Sequence, residues 1–454
     1  NQNGPIEYGF RGNSQNYDLN RDFIKCDTLN ALSFAEIFQQ LDPDLFIDTH
    51  VSNGADYQYV MTSAHSQKDK LGLELGKYFS DKFQPKIFEA MRQAEFETVP
   101  YVNSGGSPPD RGYEQFLETP RYSTGYAALF QTMGFMTETH MLKPYPQRVK
   151  ATRAFLDAAI RLLSEHGKEI QAIRKRDRES YVKQASVPIA WAVDRDQPSQ
   201  LLFRGYRARR IPSRVTPGER LFYDRTNPFE EPIDYFDTYR PWKTIQLPTG
   251  YLVPQGWHRV IKRLEVNGVQ MLRLKGAASF VGEVYRIDGV GTRDSPFEGH
   301  YLHQSVDLTM SRQTVSARIG DYVIPIRQPR ARYIVETLEP AAMDSFFRWN
   351  FFDTVLTQKE HFSPYVFEDI AEDLLAQDKT LRKRLAARSA ADIEFAADRS
   401  AQLQFIYESS RHYEAAHLTY PVVRLTDTSL FAETDASASL GSDDSPHPID
   451  ANER

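Results

Sequence analysis

The chain has one cysteine, Cys26, in 454 residues. A lone thiol excludes an internal disulfide and any multi-cysteine metal site, so a bound metal would need histidine and carboxylate ligands. A basic run is also missing: 55 lysines and arginines are set against 61 aspartates and glutamates, a formal charge of −6 on a mixed surface. This gives no electrostatic footprint for nucleic acid, which is not an expected partner. No apolar stretch approaches the ~20 residues of a membrane span. No internal repeat is visible. The first residue is asparagine and the start is polar, so any signal peptide is expected to have been removed with other upstream sequence.

What is present is enough apolar material for a folded protein. Hydrophobic residues make up 41% of the chain, and its length exceeds one ordinary core, which predicts two or three domains. Residues 1–183 read as α/β. Ser33-Phe34-Ala35-Glu36 has capping-box spacing and predicts a helix start, with Asp42-Pro43-Asp44 as its end. Leu45 to His50 reads as a buried strand. An amphipathic pattern from Gln67 to about Glu95, interrupted at Pro85, predicts one or two helices. Strands are expected over Thr98–Val102 and Gly134–Glu138, separated by a Gly/Ser/Pro-rich loop from Asn103 to Tyr113 that should lie exposed. A long helix is expected from Gln147 to about Arg178. Alternating strands and helices of this kind predict a mostly parallel sheet with helices on its faces. Its site would lie at the carboxyl ends of the strands, where His50 and Glu138 fall.

From 184 to 335 the texture changes to short runs rich in Val, Ile, Tyr and Leu between Pro and Gly, the pattern of an antiparallel β-rich domain. Residues 336–425 turn helical, notably Val366–Leu375 and Thr380–Ser409. The Ser/Asp/Ala-rich stretch 426–454 is expected to be a disordered tail. Phe346-Phe347-Arg348-Trp349-Asn350-Phe351-Phe352 is dense enough in aromatics to be expected in packing between elements.

Three short segments carry the chemistry. Arg11 is followed by Asp18-Leu19-Asn20-Arg21, Asp48-Thr49-His50 closes an apolar strand, and Thr137-Glu138-Thr139-His140 closes another. In this order they resemble the second half of the active site of zinc carboxypeptidases of the M14 type, over roughly residues 1–146. The resemblance implies a fold class of α/β with a partial carboxypeptidase-like mixed sheet flanked by helices, which the β-rich domain and the helical C-terminal region read above would follow. It also implies a zinc-dependent carboxypeptidase acting on peptide or peptide-like substrates, and a secreted or periplasmic location.

Roles follow residue by residue from the resemblance. His50 corresponds to a zinc ligand and Glu138 to the general base. Asn20 and Arg21 correspond to the pair that reads the terminal carboxylate, which a guanidinium fork binds bidentately. Arg11 corresponds to the arginine that stabilises the oxyanion, and Asp18 to the aspartate that orients a first histidine ligand. A tyrosine completes the family's pocket, and both Tyr122 and Tyr126 are candidates. His140 is expected to be a packed or supporting histidine. In the family the first two zinc ligands lie on a His-x-x-Glu segment ahead of the arginine motif. None precedes Arg11, so the chain is expected to begin inside a catalytic domain, with the zinc ligand set incomplete, and to be inactive by itself. Two alternatives come from other classes: a catalytically silent M14-like module that binds peptide or glycan termini through Arg21, and an assembly scaffold.

Overall fold

A computed structural model of the chain describes residues 11–104 and 106–434. The first part contains α1 (Leu29–Leu41), β1 (Leu45–Ser52), β2 (Met61–His65), α2 (Lys68–Leu71), α3 (Leu73–Tyr78), α4 (Gln84–Gln93), β3 (Thr98–Pro100), β4 (Tyr113–Glu114), α5 (Ser123–Ala128), β5 (Met133–His140) and α6 (Tyr145–Tyr181). Four strands form a mixed sheet in the order β1-β5-β2-β3. The pairs β1–β5 and β2–β3 are parallel, and β2–β5 is antiparallel. Strand β5 therefore lies between two partners and is buried at all eight positions. Gly134 lets α5 close onto it, since a Cβ there would stand 3.0 Å from the side chains of Ser66 and Thr124.

One local reading is corrected. Helix α1 opens at Thr28, whose hydroxyl accepts from the Ala31 N–H at 3.1 Å, so Ser33 and Glu36 lie inside the helix instead of capping it. The cap is fixed from behind by the buried Asp22, which accepts the Thr28 hydroxyl at 2.6 Å. Further along, the interruption expected at Pro85 is present: five π-helical residues, Phe79–Phe83, separate α3 from α4, and Pro85 sits in the first turn of α4. A second break lies at Gly72, with φ +131°, where a Cβ would collide with the Asp177 carboxylate.

The second part contains β6 (Ser186–Val193), β7 (Ser199–Pro212), β8 (Glu219–Phe236), β9 (Tyr239–Gln246), β10 (Gly250–Val253), α7 (His258–Val266), β11 (Leu272–Arg273), β12 (Ala278–Thr292), β13 (His303–Ala317), β14 (Tyr322–Pro325) and α8 (Ala331–Leu338). It continues with α9 (Pro364–Gln377), α10 (Lys379–Ala391), α11 (Ile393–Ala397), α12 (Arg399–Glu408) and β15 (Val423–Leu425). The largest sheet here runs β11-β14-β10-β15-β12-β13. Strand β15 comes from the stretch expected to be helical and joins β10 and β12 through a Val-Arg-Leu run suited to a pleated surface. The expected Thr380–Ser409 helix is broken at Asp392 and Asp398, whose carboxylates cap α11 and α12. Part of the expected tail is folded as well. A turn over Ser429–Glu433 buries Leu430, while residues 435–454 lie outside the described residues.

The two parts share polar joints and a core. Arg121 binds Asp344 at 2.6 Å, Arg263 binds Asp27 at 3.0 Å, and the Tyr126 hydroxyl donates to Asn267 at 2.5 Å. Arg332, on α8, donates to the carbonyls of Lys70 and Ala128. The aromatic run 346–352 is largely buried in the same core as Phe130, Tyr333 and Tyr420, as its density predicted.

The other side of the four-stranded sheet is open. Among the described residues β1 pairs only with β5, and Val51 on β1 is 52% exposed. Helix α1 presents Leu29, Ile37 and Leu41 to solvent, and α6 presents Tyr145, Val149, Leu156 and Ile160 at helical spacing. Among the described residues, no helix is long and apolar enough to cross a membrane.

Candidate active site

The parallel register of β1 and β5 sets His50 opposite Glu138. Their nearest atoms, Nδ1 and Oε1, are 3.8 Å apart. Two residues earlier on β1, Asp48 reaches the same face, because alternate strand residues share a side. Its Oδ2 lies 2.8 Å from His50 Nε2. An ionised carboxylate only accepts, so Nε2 carries the proton and the lone pair of a neutral His50 is on Nδ1, toward Glu138.

These contacts set the local titration. Burial pushes Glu138 up to about 7, aided by the charge of Asp48 and opposed by those of His50 and Arg11. Burial also works against the charged form of Asp48, but the hydrogen bond and charge of His50 outweigh it and hold Asp48 below its ordinary value. For His50, burial lowers the value, and the bond to Asp48 with the charges of Asp48 and Glu138 more than compensates, leaving it raised. The result is a basic nitrogen beside a carboxyl poised near neutrality, the condition that suits proton transfer at ordinary pH.

The segment from Arg11 to Arg21 lies against this pair. Asp18 caps a short turn over Leu19–Arg21 by accepting the Asn20 N–H at 3.0 Å. It also holds both arginines: Arg11 Nε at 2.5 Å and Arg21 Nη1 at 3.8 Å from Asp18 Oδ2. The Asn20 carboxamide is fixed from two sides. Its oxygen accepts the Ser123 N–H at 3.2 Å and its nitrogen meets Met136 Sδ, two residues from Glu138 on β5, at 3.7 Å. Arg21 stacks on Tyr122, 4.4 Å from guanidinium carbon to ring centroid. Arg11, 57% exposed, is the more open of the two guanidiniums.

The structure separates the two tyrosines. Tyr122 stands at the site against Arg21, whereas Tyr126 is fully buried among Phe23, Phe34, Phe38 and Phe130. Tyr126 is thus a core residue with a committed hydroxyl, and its ring has no route to a ligand. His140 is likewise committed: Nδ1 accepts the Leu142 N–H at 3.1 Å and Nε2 meets the Ala55 carbonyl at 2.9 Å.

Two residues of the cluster had no role assigned from sequence. Asp48 had a usable signal, its place two residues before His50 on one strand face. Glu298 had none. It comes from the second part of the chain and accepts the Asp18 N–H through Oε2 at 2.8 Å, across 280 residues of sequence.

The donor set tests the fit of a zinc ion. His50 suits one ligand position, since its Nε2–H is held by a carboxylate and Nδ1 is left to coordinate, the arrangement that supports metal-binding imidazoles. Among the described residues, no group of three or more His, Cys, Asp or Glu side chains is placed to hold a metal. At this cluster the described residues thus offer one imidazole nitrogen, His50 Nδ1, with the chemistry of a zinc ligand.

Comparison with known proteins points to one enzyme name. The chain is 24% identical over 357 residues to carboxypeptidase 2 of Trichophyton rubrum, and 25% identical over 352 residues to carboxypeptidase 2 of Trichophyton equinum. It is also 24% identical over 359 residues to a protein of Arthroderma benhamiae named probable carboxypeptidase 2. The first two matches cover 73% of this chain and 61% of each relative, and the third covers 72% and 62%, so the chain spans about three fifths of the length of these relatives. No family model matches, and no solved structure matches. The mixed α/β chain is thus similar, at low identity, to proteins named for peptide hydrolysis, which supports a carboxypeptidase family.

Proposed function

We propose that this chain carries part of the active site of an M14-type zinc carboxypeptidase, whose full-length protein hydrolyses the C-terminal peptide or amide bond of its substrate. The observation that carries the reading is the pairing of His50 with Glu138 at adjacent strand positions, with the Asn20-Arg21 pair anchored on the same strand through Met136. The curated relatives named carboxypeptidase support it independently.

In this reading His50, its tautomer fixed by Asp48, would supply one ligand to a zinc ion, and the other ligands would be supplied from outside the described residues. A bound zinc ion lowers the pKa of a coordinated water toward ~7 and polarises the scissile carbonyl. Glu138 takes a proton from the attacking water and delivers it to the leaving amine. Asn20 and Arg21 receive the terminal carboxylate, and Tyr122 limits the swing of the Arg21 side chain by stacking. Arg11, exposed and held at one end by Asp18, offers its free N–H groups to the developing oxyanion.

A second reading, a peptide-terminus binder without hydrolysis, is favoured by the lack, among the described residues, of a group of three side chains placed to hold a metal. Metal analysis and a peptidase assay on the full-length protein separate the two. One equivalent of zinc with release of a C-terminal residue supports the enzyme. Absence of both, with retained peptide binding, supports the binder.

A further inference from the structure

The second part of the chain reaches the site through one turn. Phe297 and His300 exchange backbone hydrogen bonds at 2.7 and 3.1 Å, and between them Glu298 and Gly299 both have positive φ, +50° and +80°. This is the two-residue hairpin geometry that ordinarily takes Asn, Asp or Gly at its first central position. A glutamate there carries backbone strain, because its Cβ crowds the following carbonyl oxygen. Such strain persists where the surroundings over-determine it, and it concentrates at ligand clamps.

The surroundings do over-determine this turn. His300 is held by Asp27 at 2.6 Å, and Phe297 stacks near Trp349 and receives the Arg121 guanidinium at 5.5 Å. At Gly299 a Cβ would stand 3.0 Å from the Tyr17 hydroxyl. The held turn delivers the half-buried Glu298 carboxylate to the Asp18 N–H through one oxygen. Among the described residues, nothing hydrogen-bonds the other oxygen.

The charges decide what that oxygen can take. Around the carboxylate-reading pair, the guanidiniums of Arg11 and Arg21 already face the carboxylates of Asp18 and Glu298, with those of Glu138 and Asp48 also acting on Arg11. A substrate carboxylate seated on Arg21 adds one negative charge with no counterpart. A cationic side chain on the same terminal residue offsets that charge, and the four-carbon stem of a lysine or the reach of an arginine brings its head toward Glu298.

Resting on the carboxypeptidase reading, we infer that Glu298 is a specificity-determining residue that selects peptides ending in lysine or arginine, so the second part of the chain completes the substrate pocket. The test uses full-length protein and three matched peptides ending in Lys, Leu and Glu. Wild type should cleave the Lys peptide with kcat/KM about tenfold or more above the Leu peptide, and the Glu peptide more slowly still. Glu298→Gln keeps an oxygen for the Asp18 N–H and removes only the charge. It should bring the Lys peptide down to the Leu peptide, mainly through KM, and leave the Leu peptide unchanged. Glu298→Lys should invert the order of the Lys and Glu peptides. Equal losses on all three peptides, or no preference in wild type, would overturn the inference and leave the carboxypeptidase reading intact. Failure of wild type to cleave or bind any of the three would overturn both.

Discussion

His50 and Glu138 face each other across the parallel ladder of β1 and β5, 3.8 Å apart at their nearest atoms. The spacing lets each charge act on the other without a direct hydrogen bond, so burial still dominates Glu138 and pushes it up to about 7. A carboxyl in that state is protonated and deprotonated in comparable amounts near neutrality.

Glu138→Gln in the full-length protein should abolish most hydrolysis, by ~10²–10⁴ in rate, with peptide binding retained. The amide keeps the shape and cannot accept the proton. Single-turnover hydrolysis with a parallel binding titration checks this, and near-normal turnover in a folded variant removes Glu138 from the mechanism.

The same substitution has a pH-dependent effect on stability. Between the ordinary glutamate value of 4.5 and about 7, folded Glu138 holds a proton that the unfolded chain has released. The folded state then binds more protons, so stability falls as pH rises through this window and the full penalty is present above it. The raised His50 acts in the same direction. Glu138→Gln should therefore stabilise the chain at pH 8, on the order of 1–3 kcal/mol, and change little at pH 4.5. Paired melting curves at the two pH values measure it; an equal Tm difference at both would mean that Glu138 is not charged at a cost.

Asp48→Asn should lower the titration midpoint of His50, because the variant removes both the charge and the charge-assisted hydrogen bond at Nε2. NMR titration of the His50 ring protons reads this directly. In the full-length protein, zinc affinity should fall by about 10–100-fold, as for other outer partners of metal-bound histidines. An unchanged His50 midpoint would show that Asp48 does not fix the tautomer.

If Arg21 reads a free carboxylate, amidating the substrate terminus and mutating Arg21→Ala delete the same contact. Each should cost about ten- to a hundredfold in kcat/KM, since hydrogen bonds to charged groups contribute roughly 1.5–3 kcal/mol. The two losses should not add. Full additivity, or equal cleavage of acid and amide by wild type, would rule out terminal-carboxylate recognition by Arg21.

The two tyrosines should behave in opposite ways. Tyr126→Phe strips a buried hydroxyl from Asn267 and Gln39 and should cost roughly 1–3 kcal/mol of stability with activity intact. Tyr122→Ala should leave stability nearly unchanged and raise KM several-fold by freeing Arg21 from its stack. Chemical denaturation and steady-state kinetics on both variants test the contrast.

Local signals in the sequence located the elements that build the site more reliably than the contacts within it. The apolar run ending at Glu138 is β5, whose continuous burial leaves a hydrophobic signature in the chain, whereas the run ending at His50 is β1, a strand as expected but an edge strand that is half-buried over Leu45–Asp48 and not the buried strand its apolar start suggested. Their side-by-side placement in a mixed sheet is a non-local fact. Asp18, Asn20 and Arg21 could be read as a unit since all three lie in one turn. The choice between Tyr122 and Tyr126 could not, because one helical turn places the first against Arg21 and the second in the core. Glu298 was beyond reach for a stronger reason: its partner is 280 residues away, and Glu-Gly at a hairpin gives only a turn signal. The caps misread at Ser33 and across Thr380–Ser409 have a common cause. Competing side chains at Thr28, Asp392 and Asp398 satisfied the first-turn N–H groups instead.

The open flank of the four-stranded sheet governs how this polypeptide behaves in solution. Among the described residues the eight-residue strand β1 is paired on one side only, and such an edge is a template for strand addition. An edge left free in solution should drive concentration-dependent self-association along β1, and a charged substitution at the 52% exposed Val51 should reduce it in a sedimentation measurement. The same edge strand carries Asp48 and His50 of the candidate site, so whatever covers that edge also lies beside them.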